Sequence, residues 1–260
     1  MSNGTPTMQQ AAFAGDNPDP EKASQTYVDE VPIMGLSDNH MELDESRPGV
    51  ASDGTDGLNA TAKNLKAFVQ SVADNGGYYI ARYEASYGSG SSTADWKPLS
   101  KVSTGTPRTS SSTPLTQGML WNYLTQLDAS KISQNMYPTE DTIVGVESDL
   151  INSYAWDTAI VFIQSMKAEN SNYANKTDGN GTLKNTGETG DEVCNIFDVA
   201  ANLTEWTTEY STYTNSDASN PCTFRGSAYS MTDGYTSIRD SSDVTTSHEG
   251  VGFRVVLYIK

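Results

Sequence analysis

The chain has 260 residues, 36% of them hydrophobic and 9% aromatic. That is enough for a real core in one large domain or two small ones. A formal net charge of −17 argues against a binder of nucleic-acid phosphates, whose affinity rests on Lys and Arg, and against docking on an anionic membrane. Two cysteines, Cys194 and Cys222, are too few for a disulfide-built scaffold. No run approaches the length of a membrane span. The start, "MSNGTPTMQQ", has no basic region followed by an apolar one, so no export signal is visible. A chain whose leader had been cut away would begin the same way.

Residues 1–58 are rich in Asp, Glu, Pro, Gly and Ser, with short apolar clusters such as Val31-Pro32-Ile33-Met34. They read as an acidic polar arm or linker ahead of a domain at 59–260. "DGTDG" (53–57) and "TDGNG" (177–181) partly resemble calcium loops. Neither has the full ligand ladder, and both read as turns. Ala62, Leu65, Phe68, Val69 and Val72 fall at helical spacing, which predicts a helix over 60–74, stopped by Asn75-Gly76-Gly77. "YYIARYEAS" has strand composition, and 89–112 is a Ser/Gly/Thr-rich loop. Leu115, Met119, Leu120, Tyr123, Leu124 and Leu127 predict a second helix capped by Thr116. A third is predicted over 153–166, with Trp156, Ile160, Ile163 and Met166 on one face. Residues 193–260 alternate short strand candidates with long polar loops, and "GFRVVLYI" closes the chain as one buried strand. This mixture predicts an α+β fold.

Five pieces occur in order: "GGYYIARYEAS", "YAWDTAIVFI", "CNIFDVAANLTEW", "FRGSAY" and "GVGFRVVL". Together they resemble the C-type lectin fold of the formylglycine-generating-enzyme/sulfatase-modifying-factor type, over roughly residues 75–260. The resemblance implies two or three helices around short, irregular antiparallel strands with long loops. The family's central N-[IL]-[YF]-D-x-x-G-N-x-x-E-W is matched by Asn195 to Trp206, its R-G-G by Arg225-Gly226-Ser227, and its G-F-R by Gly252-Phe253-Arg254. Ala201 and Ser227 stand where the family carries glycines, which costs local backbone freedom.

The enzymes of that family use a cysteine pair shortly after the Arg-Gly motif. Here that place reads "SAYSMTDGYTSIRD", without a cysteine. A thiolate site needs both sulfurs at one open point. A structural disulfide between Cys194 and Cys222 is the main expectation, and it would imply an oxidising, extracellular setting. Two inert buried thiols, or a metal or redox role, are the alternatives. The two histidines, His40 and His248, complete no hydrolase or metalloprotease motif. The family also offers a calcium site, for which the matching positions are Asn202 and Glu205. The competing reading is that Asn202 caps a turn and Glu205 makes an internal hydrogen bond. No cofactor is required.

Within the fold, the chain is most like the variable proteins of diversity-generating retroelements of bacteria and phages. Their diversified segment lies between an R-G-x-x-[YF] motif and a final G-F-R strand, and is mutated at adenines, usually in AAY codons. Such codons cannot yield Lys, Gln, Glu, Met or Trp. Between Ser227 and Glu249 the exceptions are Met231 and Glu249 alone, which would be invariant positions. An ordinary polar loop has similar composition. The expected ligand-binding residues are Ser227, Tyr229, Ser230, Asp233, Tyr235, Ser237, Arg239, Asp240, Ser242, Asp243, Thr245, Ser247 and His248. Tyr would anchor, and Ser, Thr and Asp would supply adaptable hydrogen bonds. Arg239 could equally be tied into the core. The expectation is a non-catalytic binding protein, extracellular, on a bacterial surface or a virion, with an unidentified protein or cell-surface ligand. Direct membrane insertion and nucleic acid are not expected. The alternatives are an oxidase related to formylglycine generation and a structural surface or pilus-associated domain.

Overall fold

The computed structural model describes residues 71–137, 145–177, 181–210, 220, 222–232 and 234–259. The acidic arm, its "DGTDG" turn, most of the first predicted helix and the middle of "TDGNG" lie outside them. Residues 71–75 are helical and end at Gly76, where φ is +80°.

Eleven short strands and two α-helices, besides the helical residues 71–75, make the described fold α+β. The strands are β1 (Tyr79–Ile80), β2 (Ser86–Ser89), β3 (Lys97–Leu99), β4 (Val146–Leu150), β5 (Glu192–Val193), β6 (Ile196–Phe197), β7 (Thr204–Tyr210), β8 (Cys222–Arg225), β9 (Arg239–Ser242), β10 (Val251–Phe253) and β11 (Val255–Ile259). The helices are α1 (Gln126–Gln134) and α2 (Ser153–Met166). One sheet has the order β1-β11-β4 and a second β10-β7-β8-β9, with β10 and β7 parallel. β2-β3 and β5-β6 form separate two-stranded pairs.

Helix α2 spans the predicted residues. The Asn152 side chain accepts from the Ala155 N–H at 2.9 Å, satisfying one donor of its first turn. Trp156, Ile160 and Ile163 are buried against Ile196, Val199, Val256 and Tyr258. Met166, expected on that face, is 55% exposed, because the helix ends there, beyond the sheet's reach.

The predicted second helix is displaced. The stretch 115–124 is not helical; α1 starts after it, with Thr125 accepting from the Asp128 N–H. Positive φ at Gly118 and Tyr123 (+88° and +59°) breaks helical geometry. Leu120 instead bridges Ser86, and the buried Trp121 meets Tyr87, Trp96 and Phe253. The apolar run feeds a second core cluster with Ile132, Leu150, Trp206 and Val255.

The predicted C-terminal strand is two strands in two sheets, divided at Arg254. The division places the Arg254 side chain in the interior. Its guanidinium donates to Glu205 at 2.7 Å and to the carbonyls of Ala81 and Phe197 at 2.9 and 2.8 Å. Both members of this ion pair have fully buried side chains.

The expected disulfide is absent. Cys222 is buried in the cluster around Trp206, whereas Cys194 packs against the cluster around α2. The two sulfurs therefore belong to different cores and share no open site.

Candidate functional site

The segment 227–249 leaves β8 and returns to β10, and both ends are fixed by buried chemistry. Arg225 donates to Asp157 at 2.5 Å and to the carbonyls of Ile238 and Ser237 at 2.9 and 3.2 Å. Gly226 follows with φ +87° and lies against the Trp156 ring. The Trp156 indole donates to the Thr236 carbonyl at 3.0 Å. The Thr236 and Ser237 amides donate to the carbonyls of Lys176 and Ala174, both at 3.0 Å. The segment is thus pinned at 236–239 as well as at its ends.

Arg239 resolves as scaffold. It lies opposite Arg225 in the β8–β9 register, is buried, and donates to both Glu209 carboxylate oxygens, with Nε at 3.0 Å from each. Burial would raise Glu209, but Arg239, Ser153 and Arg225 together outweigh it and hold the carboxyl below its ordinary range. Ser227 is also interior. A Cβ at Gly234 would come within 2.7 Å of its Oγ and 3.0 Å of the Met231 Cβ. Glycine at 234 therefore lets this loop close upon itself. Neither Arg239 nor Ser227 is available as a surface contact, because each fills a place in the packing.

The remaining predicted positions separate by exposure. Ser230, Asp240, Thr245, Ser247 and His248 are exposed, as are Thr232 and Val244, which sequence reasoning omitted. Tyr229, Tyr235, Ser237, Ser242 and Asp243 are half-buried. Asp233 lies outside the described residues. Asp243 organises the 242–246 turn, accepting from the Thr245 N–H at 2.7 Å and the Thr246 hydroxyl at 3.0 Å. The hydrogen bonds from Thr245 and Thr246 hold its carboxyl low.

A clamp that sequence reasoning did not find joins the two exposed parts. One Glu249 oxygen accepts from the Tyr229 hydroxyl, and the other accepts from Tyr123 at 3.1 Å. Its backbone carbonyl accepts from the Asn122 amide at 2.8 Å. Arg108 sits over the Tyr123 ring at 5.4 Å and donates to the Asn122 carbonyl at 3.0 Å. Exclusion of Glu249 from the AAY repertoire was its one sequence signal. Tyr123, Asn122 and Arg108 gave none, since their partners are distant in the chain. Burial and then the Glu249 carboxylate push the Tyr229 hydroxyl up to about 12, while the Tyr229 hydrogen bond pulls Glu249 down. The sign follows: Glu249 supports the clamp above the ordinary carboxylate pKa and loses that support as pH falls through its lowered value. Tyr229 does so below the ordinary phenol pKa, and its support fades as pH rises through about 12. Glu249→Gln is expected to bring Tyr229 partway back towards 10, with burial retaining the rest, as read by phenolate absorbance during an alkaline titration.

The positions matched to calcium are engaged otherwise. Glu205 accepts from Arg254 with both oxygens. The Asn202 side chain donates to Glu84 at 2.6 Å and accepts from the Lys184 N–H at 3.0 Å. No cluster of three or more His, Cys, Asp or Glu that could hold a metal occurs among the described residues. The internal hydrogen bonding weighed for Glu205 is what the geometry contains, and a cation there would have to displace a guanidinium.

No family model matches the sequence, and no curated protein matches it. Among solved structures, the chain is similar to the crystal structure of CarF, with 13% identity and a TM-score of 0.42, over 76% of this chain and 83% of that one. It is also similar to Treponema denticola variable protein 1, with 13% identity and a TM-score of 0.37, over 69% of this chain and 94% of that one.

Proposed function

We propose that this is a non-catalytic ligand-binding protein whose segment 227–249 is a diversified surface on a C-type-lectin scaffold of the formylglycine-generating-enzyme type. The observation that carries the reading is a partition within the segment. Among the described residues, every exposed one in it, namely Ser230, Thr232, Asp240, Val244, Thr245, Ser247 and His248, belongs to the set that adenine-directed mutation of AAY codons can produce. The two residues outside that set perform structural tasks. Met231 packs beside Gly234, and Glu249 holds Tyr123 and Tyr229. A merely solvated loop has no need of this division.

A reading as an oxidase related to formylglycine generation lacks its thiols. The Arg225-Gly226 motif has no cysteine after it, and Cys194 and Cys222 lie in separate cores. Display outside the cell, on a bacterial surface or a virion, and recognition of a protein or cell-surface ligand belong to the same proposal. Calcium at Asn202 and Glu205 is not part of it.

Sequencing the gene from sibling isolates tests the reading. Substitutions should concentrate in adenine-containing codons at the seven exposed positions and at half-buried Tyr229, Tyr235 and Ser242, sparing Arg225, Met231, Arg239 and Glu249. Changes spread evenly over the domain would defeat it. Replacing Ser230, Asp240, Thr245, Ser247 and His248 together by alanine should leave the melting temperature within a few degrees, because exposed substitutions usually each stay within about 0.5 kcal/mol.

A further inference from the structure

On a part of the domain separate from 227–249, an apolar groove runs between β1 and α2. Its walls include Tyr79, Ile80, Ala159, Phe162, Cys194 and Ile196, and it encloses about 380 Å³. Tyr79 and Phe162 are 63% and 47% exposed, unusual for large apolar side chains lining one hollow. Among the described residues that line it, Arg82 is the one with a charge. β1 is an edge strand in the order β1-β11-β4. Proteins commonly cover such an edge with another part of the chain.

The described chain enters the fold beside this groove. Val72 packs on the same core cluster as Val193 and Cys194, and Gly77, six residues after Ser71, already lines the hollow. Residues 1–70 lie ahead of that point. In the acidic part of that sequence, "DEVPIMGL" (29–36) sets four large apolar residues directly after two carboxylates. The residues between Leu36 and Ser71 could span on the order of 100 Å if fully extended, so reach imposes no limit. Tethering also gives such a segment a local concentration of about millimolar, which favours it over a free competitor.

We propose that the groove is the docking site of this chain's own segment 31–36. Val31, Ile33, Met34 and Leu36 supply the apolar side chains that such a groove takes, and Asp29 and Glu30 the charge that complements Arg82. The inference does not depend on what the C-terminal segment binds.

Cys194 reports on occupancy, since it lines the groove while Cys222 is buried elsewhere. In the full chain, the rate of Cys194 labelling by a thiol reagent should rise about tenfold when Ile33→Asp and Met34→Asp are introduced together, because labelling follows the open fraction. The exposed Phe162→Asp should produce the same rise. Met34→Cys should form an intramolecular disulfide with Cys194 under mild oxidation, giving a crosslinked monomer in a yield independent of protein concentration. An unchanged labelling rate in the double variant would overturn the proposal. So would a crosslink found only between two chains, which would make a second copy the occupant.

Discussion

Arg254→Ala should destabilise the domain by about 3–5 kcal/mol in denaturant unfolding, the cost of leaving a buried charge without its partner. Several groups lose their partner together. Glu205 accepts from this guanidinium with both oxygens, and the carbonyls of Ala81 and Phe197 accept from its Nη1 and Nη2. Two further buried carboxylates, Glu84 and Asp198, contribute to the same negative field around Glu205 and Arg254. The loss should depend on pH with a defined sign. Burial already pushes Glu205 upward, and Arg254 and then Asp198 modify that shift. Without the cation its folded pKa rises further above the unfolded value. Protonation then stabilises the variant, so its deficit is largest at neutral pH and shrinks as pH falls into the carboxylate range. A deficit that stays the same on acidification would show that the guanidinium acts mainly through packing. Exchanging both partners for apolar residues, as Arg254→Met with Glu205→Leu, should recover part of the loss, because no buried charge is then orphaned.

Gly226→Val is the second large effect expected, about 2–4 kcal/mol. At φ +87° any side chain is strained, by roughly 1–3 kcal/mol. A Cβ there would also stand 3.0 Å from the Trp156 ring and 3.2 Å from the Val199 carbonyl. The Trp156 ring is held in place by its hydrogen bond to the Thr236 carbonyl, so it cannot withdraw without loosening the pinned middle of 227–249. Hydrogen exchange should therefore rise at the Thr236 and Ser237 amides as well as in β8. A variant stable to within 1 kcal/mol of the parent, with those amides still protected, would show that the backbone at 226 adapts easily. Set beside the surface replacements, these two variants separate scaffold from surface: one interior substitution should matter more than five exposed ones.

Much of this arrangement was legible in the sequence wherever a side-chain period or a local cap decides the structure. The stripe Trp156, Ile160, Ile163 and the start of α2 at Ser153 are local properties, and so is the glycine stop after residue 75. The run Leu115 to Leu127 was misread because its spacing also suits a helix. Positive φ at Gly118 and Tyr123, with Asn122 held between Arg108 and Glu249, drew it out into the second core cluster. "GFRVVLYI" was misread for a similar reason. Strand propensity says nothing of a guanidinium that must turn inward to Glu205. The cysteines were mispaired because two sulfurs near strand-like segments look alike in sequence whether those segments share a core or not.

The sequence by itself determined the class of fold, the acidic balance, the two anchors of the polar segment and the residue types between them. Those follow from composition and from interactions within a few residues. Only the tertiary structure decided which members of 227–249 face solvent. Ser227 reads as surface until Gly234 is brought to it, Arg239 reads equally as surface or core until Glu209 meets it, and Glu249 reads as loop until Tyr123, 126 residues away, reaches its carboxylate. The physical reason is that a polar side chain carries no intrinsic sign of burial. Its place depends on whether a partner from a distant part of the chain compensates for the water it loses.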